Sequence, residues 1–566
     1  MHHHHHHGGS GERALASADV ACIVYSVASS QSFHRLGTFW LPLVRAQRPG
    51  LSVVLVGNKI DTRGDDVTNE ELEDEILPLM SDFKEIETCV ECSAKTLVNV
   101  AEAFYFAQKA VLHPTGPLYD SREHELRPEA VRALERIFRL CDRDADGILS
   151  DEELNAFQVK CFRTPLQEAE LESIKEILKE VEPRGVQRDG VSLPGFLALH
   201  RLFIQRGRLE TTWSALRAFG YTDELQLKDE LLHPELDLKK NAVMVLGPMA
   251  NDFLTRLFHA WDHDGRGSLT AAQLEELFMP MVLGGGLEWY HGLMEASLTD
   301  GSGALTLTGF LGQWALMALL DPHLVLTSLA LLGLDDPSAG VNVVCNGLRR
   351  DRANRRQRDA FLVWVLGATG SGKTALRRSL LQRPFASSYV PSMEAHLAIN
   401  SVPVEGRERF LVLEEIPTHG ALDREALADA ERLAHVDAIC LAYDESDPAS
   451  FTHIQQLYEE QKKVLIGIPV LLLATKSDRP HTQSTVDAEW IHSHGLPEPI
   501  HVSAKEMSQE EMTTRLWAPL LRAAMAGDQK KRNTWLLPVL GATCAIGATA
   551  AVAYYYLRLR KEEKSD

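Results

Sequence analysis

The chain has 566 residues, enough for roughly three to four domains of ordinary size. A formal charge of −21 excludes a general nucleic-acid binder, because neutralising phosphates requires clustered Lys and Arg. Eight scattered cysteines, with Cys89 and Cys92 as the single CxxC pair and no second ligand pair nearby, read as core cysteines in a reducing compartment and not as a zinc site.

Residues 1–11, with their six histidines and Gly/Ser stretch, read as an expression tag and stand outside the fold. Residues 12–113 read as α/β. Ala21–Tyr25 and Ser52–Val56 are short apolar runs of buried-strand type, with a helical pattern between them around Phe39 to Val44. Asn58-Lys59-Ile60-Asp61 follows the second run, and Ser93-Ala94-Lys95 follows a third. No phosphate loop is present, and few non-tag residues precede the first strand. The expectation is a base-reading half-domain with an open sheet edge and exposed apolar surface.

From Arg127 the pattern is helical, and an internal repeat appears. Arg136-Ile-Phe138 with Asp142 to Glu153 matches Arg256-Leu-Phe258 with Asp262 to Gln273 at an offset of 120. Val191–Leu197 matches Leu305–Leu311 at an offset of 114. The two copies span 124–235 and 245–340. In the first, Asp142, Asp144 and Asp146 fall at positions 1, 3 and 5 of an EF-hand loop. Gly147 is at 6, the Ile148 carbonyl at 7 and a bidentate Glu153 at 12, which is the oxygen set of a Ca2+ site. The second loop keeps Asp262, Asp264 and Gly267. It carries Arg266 at position 5 and Gln273 at position 12, which counts against calcium there. Segments near Asp189-Gly190 and Asp300-Gly301 lack ligand spacing and read as structural partners of these loops.

Residues 341–359 read as a basic linker holding Arg349, Arg350, Arg352, Arg355, Arg356 and Arg358. A solvated linker is expected, with contact to an anionic membrane surface as the alternative.

Residues 360–527 open a second α/β region. Gly367-Ala-Thr-Gly-Ser-Gly372-Lys373-Thr374 is a complete GxxxxGK[ST] after an apolar strand and before a helical run. Backbone N–H groups around Gly370, Ser371 and Gly372 suit phosphate oxygens. Lys373 suits the β/γ-phosphates and Thr374 the Mg2+ ion. Thr475-Lys476-Ser477-Asp478 resembles the NKxD element of Ras-like GTPases, with Thr475 for the usual Asn. Ser503-Ala504-Lys505 follows where the SAK element should, 25 residues beyond Asp478. In order and at this spacing they point to GTP/GDP. Glu414-Glu415-Ile-Pro-Thr418 stands where a DxxG element belongs, and no glutamine follows to orient the attacking water. Ser392 is a candidate switch residue. Slow hydrolysis is expected.

Trp535 to Leu557 is a 23-residue run without a charge, flanked by basic residues, and it reads as a transmembrane tail anchor. Only nine residues follow it, so the expectation is post-translational insertion with the rest of the chain in the cytosol.

The stretches Thr88–Lys95, Gln108–Thr115, Ser150–Phe157, Phe203–Arg208 and Thr211-Thr-Trp213 resemble the Miro family, the mitochondrial Rho GTPases. The order of α/β region, two EF pairs, GTPase and tail matches as well. The resemblance implies a multidomain protein with Ras-like P-loop GTPase domains flanking helical EF-hand pairs. It implies GTP hydrolysis, residence in the mitochondrial outer membrane, and adaptor partners joining mitochondria to cytoskeletal motors in transport, morphology and homeostasis. The alternative is a non-hydrolysing, nucleotide-bound calcium-sensing scaffold.

Overall fold

The computed structural model describes residues 8–64, 69–238, 242–345, 357–386, 396–480 and 486–526. The chain divides into two units, Met1–Lys228 and Asp229–Asp566.

In the first unit, strands β1 (Ala21–Ser26), β2 (Val53–Asn58) and β3 (Ile86–Glu91) form a parallel sheet in the order β1-β2-β3. Central β2 is buried from Val53 to Gly57, so it reads as a continuous apolar run and not as an alternating one. Among the described residues β1 is paired on one side only. Ile23 and Tyr25 turn into the core, while Val24 is 59% exposed. A helix at Gly8–Ser17 begins inside the tag stretch, and Leu15 and Ala18 pack on the core, so residue 11 is not a structural boundary.

The α/β region is tied to the first EF pair by the stretches that carry the family resemblance. Trp213, fully buried, donates from Nε1 to the Pro114 carbonyl at 2.8 Å, and Lys109 Nζ reaches the Gly207 carbonyl at 2.7 Å. Helices Pro128–Cys141 and Asp151–Phe162 flank the acidic loop; Glu168–Val181 and Leu193–Gln205 flank its partner. Strands β4 (Ile148–Leu149), β5 (Val186–Gln187) and β6 (Gly190–Ser192) join the two in the order β4-β6-β5.

His200 is buried in the helix after β6, with Nδ1 at 2.9 Å from the Thr212 hydroxyl. Burial holds its imidazole down at about 3. The unfolded chain, with an ordinary histidine, therefore binds more protons between about pH 6.5 and pH 3, and stability falls as pH falls through that window. Between pH 7 and pH 5 the expected loss is about 2 kcal/mol. His200→Leu should remove that part of the pH slope in thermal melts, and an unchanged slope would contradict the buried neutral ring.

In the second unit the repeat reappears in register. β8 (Ser268–Leu269) pairs with β9 (Leu305–Thr306) as β4 pairs with β6, with Ser268 opposite Thr306 as Ile148 is opposite Ser192. β7 (Ala242–Leu246) pairs antiparallel with β10 (Val341–Cys345), so the segment expected to open the basic linker belongs to this EF pair. Arg358 also departs from the linker reading. It is 2% exposed, makes a two-point ion pair with Asp437 at 2.7 and 2.9 Å, and lies over the Phe361 ring. Breaking such a buried pair costs several kcal/mol. The other five arginines, and Ser392, fall outside the described residues.

Among the described residues, the sheet of the second α/β region has six strands: β11 (Ala360–Gly367), β12 (His396–Val404), β13 (Arg407–Glu415), β14 (Ala438–Asp444), β15 (Val470–Thr475) and β16 (Ile500–His501), ordered β12-β13-β11-β14-β15-β16. All pairs are parallel except β12 with β13. The run β14-β15-β16 repeats the order and direction of β1-β2-β3. Helix Leu307–Leu320 of the second EF pair lies against β12. A Cβ on Gly312 would sit 3.0 Å from Ile399 Cγ2, and Ile399 N–H donates to the Ala296 carbonyl at 2.7 Å. Among the described residues no helix is long and apolar enough to cross a membrane, and Trp535 to Leu557 lies outside them.

Candidate functional site

β11 is buried along its length and ends at Gly367, at the carboxyl end of an interior strand, where the chain turns through Gly370 (φ 79°) and Gly372 (φ 93°) into helix Lys373–Leu380. Both glycines are left-handed, which only glycine does without strain. The loop thus faces the helix N-terminus, where backbone N–H groups favour phosphate. Lys373 Nζ donates to the Gly367 carbonyl at 2.6 Å, and the side chain is buried. Burial pushes its ammonium down to about 8, against the opposing pull of Glu415 and Asp423. A buried cation held by one carbonyl is poised to exchange it for phosphate oxygens. The Ser371 hydroxyl is buried with no hydrogen-bond partner among the described residues.

The pair Glu414-Glu415 is sorted by the pleat of β13. Neighbouring side chains on a strand point to opposite faces. Glu415 turns to the phosphate loop, accepting from the Thr374 hydroxyl and, at 3.0 Å, from Arg377 Nε. Glu414 turns away to Trp364 Nε1 at 2.7 Å and Arg432 at 3.1 Å. The Thr374 hydroxyl and the Glu415 carboxylate are hard oxygen donors beside the loop, so the residues present fit Mg2+. Thr374 and Glu415 would hold that ion, which would supply positive charge beside the β- and γ-phosphates. The sequence placed Glu415 only within the segment that stands for DxxG; its contact with Thr374, 41 residues earlier, comes from the fold. At the DxxG glycine position, Thr418 Oγ1 lies 2.9 Å from Thr369 Oγ1 in the phosphate loop.

The base-reading elements meet at the ends of β15 and β16. Asp478 is exposed, and its Oδ1 accepts from the Ser503 hydroxyl at 2.8 Å, leaving Oδ2 for the guanine N1–H and amino group. Lys476, at φ 59°, lays its chain over the phosphate loop, with Nζ 2.7 Å from the Gly370 carbonyl and 2.9 Å from Asp444. Ala504 and Lys505 follow Ser503 in the turn after β16. Thr475, expected in the base-reading element, has its hydroxyl engaged by main-chain carbonyls. It is 4% exposed, and its hydroxyl lies 2.6 Å from the Ser371 carbonyl and 3.0 Å from that of Tyr443, joining β15 to the phosphate loop. The first unit repeats the reader. Ser93 Oγ donates to Asp61 Oδ1 at 2.8 Å, Lys59 sits at φ 67°, and Asn58 Oδ1 accepts from Ala94 N–H at 3.0 Å.

Asp142, Asp144, Asp146 and Glu153 each offer an oxygen, and these atoms lie within 4.8 Å of one another. Ser150 caps helix Asp151–Phe162 and Glu153 closes the capping box, so the position-12 carboxylate is fixed by the fold, with its other oxygen accepting from Arg143 N–H at 2.6 Å. Among the described residues Asp142 Oδ1 is buried without a hydrogen-bond partner. Burial, and then the neighbouring carboxylates, push the Asp142 carboxyl up to about 8. An orphaned oxygen among crowded carboxylates fits a divalent cation. Ile148 is placed by β4, with its N–H bound to Asp146 Oδ1 at 3.0 Å.

The second loop satisfies itself. Gln273 accepts from Thr270 N–H at 2.9 Å and turns its amide nitrogen to the Trp261 carbonyl at 3.2 Å, where an acidic ligand belongs. Arg266 Nε lies 3.8 Å from Asp264.

The Ras family model matches residues 10–113 and 362–513, and two EF hand associated models match 164–250 and 289–360. Mitochondrial Rho GTPase 1 of Cryptococcus neoformans var. neoformans serotype D is 41% identical, over 90% of this chain and 80% of that protein. The protein of the same name in Mycosarcoma maydis is 40% identical, over 82% and 70%. Mitochondrial Rho GTPase 2 of Arabidopsis thaliana is 38% identical, over 88% and 78%. With an intact phosphate loop and guanine reader in one domain, identity of this extent makes the chain a GTP hydrolase of mitochondria and a member of the mitochondrial Rho GTPase family.

Proposed function

We propose that the chain is a calcium-responsive GTPase held in the mitochondrial outer membrane by Trp535 to Leu557, its bulk facing the cytosol. There it joins mitochondria through protein adaptors to cytoskeletal motors and acts in mitochondrial transport, morphology and homeostasis. The observation that carries this reading is the pairing, on one chain, of an assembled oxygen cage at Asp142–Glu153 with an assembled nucleotide site at Gly367–Thr374. Turnover is slow, since Thr418 and His419 stand where a glycine and a water-orienting glutamine serve other GTPases.

The anchor follows from 23 uncharged residues with aromatic ends, long enough to span the hydrocarbon core. Deleting Trp535 to Asp566 should move the protein from the mitochondrial fraction to the cytosol, because surface contacts hold far less strongly. Retention on mitochondria would count against the anchor. For calcium, calorimetry should show uptake that Glu153→Gln largely abolishes, since position 12 supplies two of the ion's oxygens. Equal binding by that variant would place the ion elsewhere.

A further inference from the structure

We infer that Arg188 sets the calcium threshold of the Asp142–Glu153 loop, as a fixed positive charge that the partner loop holds against the ion's cage. The inference rests on the reading of that loop as a calcium site.

β5 and β6 form a hairpin in which Val186 pairs with Val191 and Gln187 with Gly190, so the turn is Arg188 and Asp189 alone. Both are left-handed, at φ 49° and 61°. Two-residue turns of this kind ordinarily take Asn-Gly. A pair of residues with long or charged side chains keeps the conformation only when its surroundings over-determine it.

Those surroundings are specific. Arg188 Nη2 donates to the main-chain carbonyl of Asp146, the position-5 ligand, at 3.0 Å. Asp189 accepts from Lys175 Nζ at 3.2 Å, and the same ammonium, 3% exposed, reaches Asp151 at 2.8 Å, two residues before Glu153. Gly190 presses β6 onto β4 so closely that a Cβ there would stand 2.2 Å from Ile148 Cγ2 and 2.7 Å from the Leu149 carbonyl. The turn cannot drift away from the acidic loop. Lys175 acts as the built-in cation of the partner loop, and Arg188 projects a second cation onto the working one.

A divalent ion entering the cage is repelled by the guanidinium. Arg188 is exposed, so water and salt screen the repulsion, and it is worth several-fold in affinity and no more. Its hydrogen bond to Asp146 acts in the opposite sense, by holding the loop in shape. Substitution separates the two. Gln keeps a side-chain N–H donor and the same backbone strain, since both residues carry a Cβ, while losing the charge. Lys keeps the charge.

The test is calcium titration of the full chain in detergent at low and high salt, with wild type, Arg188→Gln, Arg188→Lys and Glu153→Gln. Arg188→Gln should bind calcium about five-fold more tightly at low salt. The gap should narrow at high salt, and Arg188→Lys should match wild type. Equal or weaker binding by Arg188→Gln, a gap that salt leaves unchanged, or tightening by Arg188→Lys would each overturn the inference. Wild-type uptake that Glu153→Gln leaves intact would overturn the loop assignment itself.

Discussion

Replacing Lys373 with alanine is expected to weaken GTP binding by about 10²- to 10³-fold and to remove single-turnover hydrolysis with it. The ammonium sits at the head of helix Lys373–Leu380 with one carbonyl partner, that of Gly367 at 2.6 Å. Phosphate oxygens would give it charge-assisted bonds in place of that neutral one, and such bonds are about twice as strong. Alanine keeps the glycine-led turn and the helix but leaves the phosphate charge without its cation. The fold should tolerate the change. Lys373 is buried, its charged form is disfavoured by burial, and its loss unpairs no hydrogen-bonded ion pair at that atom. Thermal melts without nucleotide should therefore stay close to wild type, while the rise in midpoint on adding GTP should vanish, because a ligand stabilises only what it binds. A variant that still hydrolyses GTP at the wild-type rate would remove the phosphate loop from the reaction.

Features written within a short stretch were legible before the fold was known. Asp142 to Glu153 is one 12-residue loop, and the spacing alone singles out the four carboxylates that the fold brings within 4.8 Å of one another. The phosphate loop is eight residues between a strand and a helix. What needed the structure was set by partners far along the chain. Arg358 looks like one more arginine in a basic run until Asp437, 79 residues on, closes on it. Glu414 and Glu415 are indistinguishable as letters, and only the register of β13 sends one to Thr374 and the other to Trp364. Thr475 stands where an asparagine is usual. Its burial and its tie to the Ser371 carbonyl, 104 residues earlier, appear only in the fold. Arg188 carried no motif at all, and its meaning lies in a hairpin pressed against a loop 42 residues earlier.

Asp478→Asn should invert base choice, weakening GTP by about two to three orders of magnitude and favouring xanthosine triphosphate. Guanine presents two donors, its N1–H and its amino group, on the edge that the reader faces. Asp478 has one oxygen held by the Ser503 hydroxyl at 2.8 Å and the other left to accept. An amide at this position keeps an oxygen for Ser503 but offers N–H groups where guanine also offers them. Two opposed donors lose their hydrogen bonds and repel, which costs several kcal/mol in a desolvated contact. Xanthine carries a carbonyl in place of the amino group, so the same amide can donate to it. Adenine lacks the amino group at that position and presents an unprotonated N1, so the wild-type carboxylate would face an acceptor and be left unpaired, and the protein should reject ATP. Lys476 and Thr475 are tied to the phosphate loop through Gly370 and Ser371, so the reader's frame should survive the exchange. Competition against labelled GTP, with ATP and xanthosine triphosphate as rivals for both proteins, measures the effect directly. If ATP displaces GTP as well as GTP itself does, or if Asp478→Asn keeps the wild-type order of preference, the carboxylate is not what reads the base.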